Sequence, residues 1–497
     1  MLYLFRQLHR KQQIHKGKFL PIAAYTHQSG HESAWLGYAY YRLCMYQSAA
    51  ALSYQGRNWK NWLAYIVSLA ACGQRKKARR ITFKLLKTRL FGRKQKIALA
   101  DSLAPFAPVL ALAILEQVDK KPPALYAALL LRLGRKAEAQ AVLTVALHSR
   151  WIQQKPELYL LAANATECSP QKQLNYANQF TEAYGLDTIH LKNNGKPFAA
   201  CNLACHTTGA IDNGPLVTIL VTAFRSAARI GYALDSLLQQ TYRNIEIIVV
   251  DDASDDNTGA IVQTMAVQDM RLRYLKLPAN IGTFAAKNMG IRLSRGIFVT
   301  CHDSDDWAHP RKIEYQLQPL LQNPALVYTT SQWLRVQDNG EYYARPVHPL
   351  MRLNPASPLF RKEIVLTKMG AWDWVRTGAD SEFSERLKQV FGAKASVQIK
   401  KPLTFGAHRP DSLMTAPDTG YDAHGISETR LAYWEAWRNW QIACFAKGKI
   451  PKIPSDGLTL RPFPVPEKIM IDPENLQLCE NHILSLVNSQ PTSIGTY

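Results

Sequence analysis

The stretch GIFVTCHDSDDWAHPRKIE, residues 296–314, sets three carboxylates in four positions, Asp303, Asp305 and Asp306, directly after an apolar run. Clustered carboxylates repel one another, and partial shielding from water makes the repulsion costlier unless a cation sits among them. Two arrangements fit. One is an acidic seat for a divalent cation; the other is a solvated turn in which Asp306 caps a helix that includes Pro310. The elements around the cluster decide between them.

Those elements alternate. LVTILVTAF (216–224) is a β-branched run of the buried-strand type, and ARIGYALDSLLQQT (228–241) after it has helical spacing. A second strand, IEIIVVDD (245–252), precedes a helix near 257–268 and a short strand LRYLKL (272–277). The helix GTFAAKNMGIRLS (282–294) then leads to the strand GIFVTCHD (296–303). Alternation of this kind predicts a doubly wound, parallel α/β sheet, in which ligands bind beyond the carboxyl ends of the strands. Polar residues stand at those ends: Thr222 and Arg225 after the first strand, Asp251 and Asp252 after the second, and the acidic cluster after the fourth. A lone helix cap leaves the first two strand ends unexplained. The cation seat explains all three.

In these segments, together with GADSEFSERL (378–387), the chain resembles the family 2 glycosyltransferases, whose nucleotide-sugar-binding fold is called GT-A. The resemblance covers residues 214–415. It implies an inverting transfer of sugar from a nucleotide-diphosphate sugar, a UDP-sugar, to a glycan or lipid-linked acceptor in surface or capsular polysaccharide synthesis. Asp303 and Asp305 occupy the family's D-x-D positions. Asp305 is then the direct ligand of Mn2+ or Mg2+, and Asp303 contacts the ribose or a metal-bound water. Such cations take oxygen ligands and keep waters or phosphate oxygens, so one or two protein carboxylates suffice. The resemblance further assigns the nucleotide base to Asp252, with Thr222, Phe224 and Arg225 lining its pocket. Lys287 falls where the family carries a basic residue facing the diphosphate; a solvated surface lysine is the plainer alternative.

The same resemblance makes Asp380 the general base that deprotonates the acceptor hydroxyl. Here Ala379 precedes it where the family has Glu, so Glu382 is a second candidate, and an N-cap role for Asp380 is the structural alternative. In PLTFGAHRPDSLM (402–414), His408 or Arg409 is expected to reach the diphosphate, with a structural role open for His408. Trp372 and Trp374, near the proposed base, fit either a sugar-stacking platform or the core.

The 497 residues are 47% hydrophobic and 20% charged, ordinary for a globular chain of several domains. No apolar run reaches the roughly 18 residues of a membrane span. The closest, APFAPVLALAILEQV (104–118), contains two prolines and Glu116. The N-terminus MLYLFRQLHRKQQIHKGK has too short an apolar core for a secretory signal. A cytoplasmic protein, peripheral on the inner face of the membrane, is the expectation. Eight cysteines without regular spacing do not suggest a disulfide scaffold, and CNLACH (201–206) lacks a second ligand pair for zinc.

The net charge of +22 is concentrated in one part of the chain. Residues 1–200 hold 29 Lys and Arg against 9 Asp and Glu, and residues 51–100 hold 13 basic residues and no acid. That favours an anionic partner, a membrane surface or a polyanionic glycan. Nucleic acid is not expected, because no recognition motif is readable. Segments beginning at 73, 101, 134 and 169 have helical spacing and recur at the interval of helix-pair repeats, resembling a degenerate tetratricopeptide-like array. The predicted organisation is a basic α-helical domain over 1–190, a linker over 191–213, the GT-A domain over 214–415 and a helical extension over 416–497. A sugar nucleotidyltransferase would carry a glycine cluster after the first strand, which TAFRSAARIG lacks. A scaffold with a decayed transferase domain would have lost Asp252, Asp305 or Asp380, and all three are present.

Overall fold

The computed structural model describes residues 18–29 and 35–488, except residues 53, 55, 89, 168, 423 and 424. The N-terminal stretch read above as no secretory signal therefore lies almost wholly outside the described residues.

The C-terminal half is built on one large sheet. Its labelled strands are β1 (Val217–Ala223), β2 (Ile245–Asp251), β3 (Leu272–Lys276), β4 (Phe298–Asp303), β5 (Trp307–Ala308), β6 (Tyr328–Gln337), β7 (Leu359–Arg361) and β8 (Ser396–His408). Their order is β3-β2-β1-β4-β7-β6-β8-β5, and Tyr342–Tyr343 and Arg352–Leu353 add short pairings to β6. β1 to β4 are mutually parallel, as their continuous apolar character predicts. β7 runs antiparallel to both β4 and β6, so the sheet is mixed beyond β4.

Helices cover both faces. Val217, Ile219 and Val221 pack with Ile230, Leu234 and Leu237 of helix Ile230–Leu238, whereas Leu220, Ile248 and Val250 pack with Ala285, Ala286 and Met289 of helix Thr283–Arg292. That alternation along each strand follows from its two-residue period. Glu246 ties the amino ends of β1, β2 and β4 together. Its buried carboxylate accepts from Thr218 Oγ1, the Arg295 and Gly296 amides and the Arg273 and Arg295 guanidinium groups.

The N-terminal half is a succession of helix pairs. Trp59–Ala71 with Arg75–Leu86 and Pro123–Arg132 with Lys136–Leu147 turn at Gly73 and Gly134, whose φ angles of +77° and +76° suit residues without a Cβ. The predicted helix over 101–118 is instead two: Arg93–Leu103 ends before Pro105, and Pro108 opens Pro108–Glu116. Proline lacks the amide that a continuous helix needs there. The Gly turns therefore lie inside pairs, not at their starts.

Residues 191–213 are not a free linker. Ile189–Leu191 pairs with Leu203–Cys205, the Asn202 amide group donates to the carbonyls of Asn193, Lys196 and Pro197, and Phe198 is buried against Phe405 and Tyr342. The turn-forming composition concealed this apolar anchor. The C-terminal helix Glu428–Ala446 is shared between halves. Tyr433 donates to Asp373 on the catalytic side, while Glu435 accepts from the Gln47 and Ser48 amides on the other. Among the described residues no helix is long and apolar enough to cross a membrane.

Candidate active site

The carboxyl ends of β1, β2 and β4 lie side by side because the strands are adjacent and parallel: Thr222 pairs in register with Asp303, and Ala223 with Asp251. Asp303 ends β4 with its side chain 40% exposed. Beneath it, Lys287 projects from helix Thr283–Arg292, its Nζ 3.9 Å from Asp303 Oδ1, and is only 4% exposed. The surface-lysine alternative is thereby removed. Burial opposes the Lys287 charge, but Cys301, Asp303, Asp380 and Asp306 outweigh it and raise its pKa. Asp380 is among the acids whose field favours this ammonium.

Asp305 is more enclosed than Asp303. Its Oδ2 accepts from Arg409 Nε at 2.7 Å, and its backbone carbonyl accepts from Tyr232. Burial raises its pKa, Arg409 opposes the rise and Asp303 adds to it. Asp306 caps no helix. The following helix, Lys312–Gln322, begins after Arg311, whereas Asp306 Oδ1 accepts from the Ala407 amide of β8 and Oδ2 is buried with no partner among the described residues. Burial, then the neighbouring Asp305 and Asp303, push its pKa well above the aspartate range. A second buried lysine, Lys312, stands behind the cluster, pushed down to about 8 by burial.

The donor set fits a hard divalent cation. Asp303 and Asp305 offer carboxylate oxygens at a strand end, the ligand chemistry of Mg2+ and Mn2+. Among the described residues no three His, Cys, Asp or Glu side chains are grouped so as to hold a metal ion by themselves. Cys205 faces His309 with Sγ 4.0 Å from Nε2, and Cys201 is exposed.

The other expected residues take varied places. Both oxygens of Asp252 are engaged at 2.8 Å, by the amides of Ile281 and Gly282, so this residue pins the 280–282 turn. Burial raises its pKa against those bonds. Thr222 Oγ1 lies 2.6 Å from Thr283 Oγ1, and Phe224 is an exposed ring at the end of β1. Arg225 turns outward to a bidentate pair with Asp255. His408 stacks on Tyr343 with ring centroids 3.6 Å apart and planes 3° from parallel. Burial, reinforced by Arg335 and Arg132, lowers its pKa to about 4, so the ring is neutral and packed rather than aimed at a phosphate. That corrects the expectation of diphosphate contact for His408 while leaving Arg409 beside the acids.

Asp380 lies in the first turn of helix Ala379–Phe391, whose N-cap is Gly378, so Asp380 is not the cap. It is half-buried, and its Oδ1 accepts from the Ser381 amide. Glu382 points the other way. It is fully buried in a bidentate pair with Arg386, at 2.7 and 2.8 Å, and accepts from Gln441 as well. A carboxylate locked in that pair cannot meet an acceptor hydroxyl, which corrects the second-candidate reading. Trp372 and Trp374 are core: Trp372 stacks on Phe383 at 4.8 Å, and Trp374 donates to the Pro454 carbonyl.

Four residues that position this site went unread in the sequence. Asn288 bonds both the amide and the carbonyl of Trp372, fixing the segment before Asp380 to the helix of Lys287. Arg376 donates to the backbone and side chain of Asn280, beside the turn held by Asp252. Gly282, with φ +86°, lies directly under the Arg376 backbone. Asn280, Gly282 and Asn288 all fall in NIGTFAAKNMGI, where their recurrence beside Lys287 was the available signal.

Residues 218–382 match the model of Glycosyl transferase family 2. The chain is 34% identical over 128 residues to Glycosyltransferase GlyG of Streptococcus pneumoniae, covering 26% of this chain and 42% of that protein. It is also 34% identical over 162 residues to the succinoglycan biosynthesis protein ExoO of Rhizobium meliloti, covering 31% and 46%. The chain thus spans under half the length of these curated relatives. Similar solved structures include S. aureus TarS 1-349 in complex with UDP, at 19% identity and TM-score 0.33, covering 39% of this chain and 61% of that one. Glucosyl-3-phosphoglycerate synthase from Mycobacterium tuberculosis, in complex with Mn2+, UDP and phosphoglyceric acid, has 19% identity and TM-score 0.34, covering 46% and 79%.

Proposed function

From the family 2 glycosyltransferase domain that this chain carries, we propose an inverting transferase that moves a sugar from a UDP-sugar to a glycan or lipid-linked acceptor in surface polysaccharide synthesis. The observation that supports this reading is the buried Lys287 ammonium 3.9 Å from Asp303, at the carboxyl end of a strand that pairs in parallel with β1.

The acceptor hydroxyl oxygen bonds to the anomeric carbon as the bond to the diphosphate breaks, and the nucleoside diphosphate departs with the electron pair. Asp380 takes the hydroxyl proton during that attack, a general-base role. Asp303 and Asp305 would hold the Mn2+ or Mg2+, which when bound supplies Lewis-acid neutralisation of the leaving charge. Lys287, charged and buried beside Asp303, adds a fixed positive charge in a water-poor setting where it is worth most. Arg409 offers a guanidinium at the rim that can pass from Asp305 to a phosphate oxygen. Thr222 and Phe224 border the nucleoside end, and Asp252 acts there by pinning the 280–282 turn through the amides of Ile281 and Gly282.

The basic half takes no part in the chemistry; it places the enzyme on an anionic surface at the inner face of the cytoplasmic membrane. A panel of nucleotide sugars, each with Mn2+ or Mg2+, tests the donor assignment by thermal stabilisation and slow hydrolysis, since a bound donor raises stability by mass action. A UDP-sugar is expected to stabilise and to be hydrolysed. Conversion of a nucleoside triphosphate and a sugar phosphate instead would make the protein a nucleotidyltransferase.

A further inference from the structure

The helix Arg75–Leu86 packs its inner side, through Ala78 and Thr82, within the helical domain. Its outer side is a different surface. Lys76, Lys77, Arg79, Arg80, Lys84 and, at the C-cap, Lys87 are all exposed. At about 100° per residue these six project within an arc of about 160°, so one helix face carries them all. None of the six forms an ion pair with a carboxylate of the described residues, and residues 51–100 supply no acid. The helical domain meets the catalytic sheet elsewhere, through Arg132 on the Ala344 carbonyl, Lys136 on Glu341 and Asn164 on Tyr342. The charged face is therefore not spent in holding the two halves together.

We infer that this face docks the enzyme on an anionic lipid surface. A chain folding in water gains nothing from six unpaired like charges on one helix, since they repel one another at helical neighbour distances. The arrangement is favourable only opposite a field of negative charge. Its shape selects among polyanions. A single convex helix face is broad and presents no groove, whereas single-stranded nucleic acids are held by a charged groove lined with stacking aromatics. The neighbouring rings are already covered: Lys77 lies over Tyr65 and Arg79 over Phe83. Four of the six are lysines, compact point charges on flexible stems, where ordered recognition of individual phosphate or carboxylate groups favours the arginine fork. Clusters of four to eight such residues on a helix suit a surface of anionic headgroups, each contributing about fivefold to partitioning.

Flotation of the full chain with vesicles tests this. Phosphatidylcholine vesicles containing phosphatidylglycerol should carry the protein at low salt, and vesicles of phosphatidylcholine alone should not. Binding should fall steeply as salt rises, because the attraction is screened within about 8 Å at physiological ionic strength. Reversing Lys76→Glu, Lys77→Glu, Arg79→Glu and Arg80→Glu together should weaken association at least about 600-fold, four factors of about five, with the melting temperature and donor hydrolysis kept. The same number of reversals at Lys120, Lys155, Lys447 and Lys449 should cost far less. Equal loss from both sets would reduce the effect to net charge and overturn the assignment to this face. Tighter binding to soluble polyglucuronate than to the vesicles, lost in the same variant, would replace lipid with glycan. Because donor hydrolysis is read separately, failure of docking is distinguishable from failure of the catalytic assignment.

Discussion

Arg409 Nε donates to Asp305 Oδ2 across 2.7 Å, joining residues 104 positions apart. In this state the guanidinium stands where a cation is needed to hold a half-enclosed carboxylate charged. On the proposed role of Asp305 as a metal ligand, a divalent ion and Arg409 would compete for the same oxygen. Asp305→Asn should abolish metal-dependent turnover by at least about a hundredfold with the fold intact. Arg409→Ala should tighten Mn2+ binding in the absence of donor, measured by calorimetry, while lowering turnover. Undiminished turnover in excess EDTA would refute the metal role, and unchanged Mn2+ affinity in Arg409→Ala would refute the competition.

Asp380 and Glu382 make a clean contrast. Asp380→Asn should reduce kcat by several orders of magnitude and leave UDP affinity nearly unchanged, because the lost interaction belongs to the transition state. Glu382→Gln should instead lower stability, by about 3–5 kcal/mol, since it strands the buried guanidinium of Arg386. Melting curves and steady-state rates on both variants separate the roles. A stable, inactive Glu382→Gln beside an active Asp380→Asn would reverse the assignment.

Most of this site was legible because parallel strands buried on both faces read as unbroken apolar runs, and the acids follow those runs directly. Asp252, Asp303, Asp305 and Lys287 could be placed from that punctuation and from the family resemblance. What escaped were pairings set by tertiary distance. Nothing local marks Arg409 as the partner of Asp305. Glu382 and Arg386 have the i,i+4 spacing of a surface pair, and it is the helix Glu428–Ala446 through Gln441, together with the Met369 and Ala371 carbonyls, that makes the pair a core element. Trp372 and Trp374 were ambiguous for the same reason. Residues 191–213 misled differently, their turn formers concealing the anchoring of Phe198 and Asn202.

Glu246 gives a pH test of the fold. Burial alone would raise its pKa, but donation from the Thr218 hydroxyl, the Arg295 amide and guanidinium and Arg273 holds it below the usual glutamate value. A depressed carboxylate pKa contributes stability that is full above the unfolded-state value and is lost as pH falls through the folded-state value. Glu246→Gln should therefore cost about 2 kcal/mol at neutral pH, discounted for the partial exposure of both arginines. The difference from wild type should close as the solution becomes acidic. Denaturant unfolding over a pH series measures it, and a pH-independent difference would mean that packing rather than charge is responsible.

Asp252 holds the amides of Ile281 and Gly282, and the Arg376 guanidinium clasps Asn280 in the same turn. Two residues beyond Arg376 comes Gly378, the N-cap of the helix that carries Asp380. Gly282 permits this contact twice over: its φ of +86° is disfavoured for other residues, and an added Cβ would fall on the Arg376 Cα and 2.7 Å from its carbonyl oxygen. Gly282→Ala must displace the Arg376 backbone, at a cost of about 1–3 kcal/mol. Because a misplacement of about 1 Å can cost up to a hundredfold in rate, kcat should fall at least about tenfold. UDP affinity should change less, since Asp252 keeps its carboxylate and its bond to Ile281. Thermal unfolding and steady-state kinetics on the same preparation decide it. A Gly282→Ala enzyme that is destabilised yet turns over at the wild-type rate would show that the base is positioned independently, through Asn288 and Trp372.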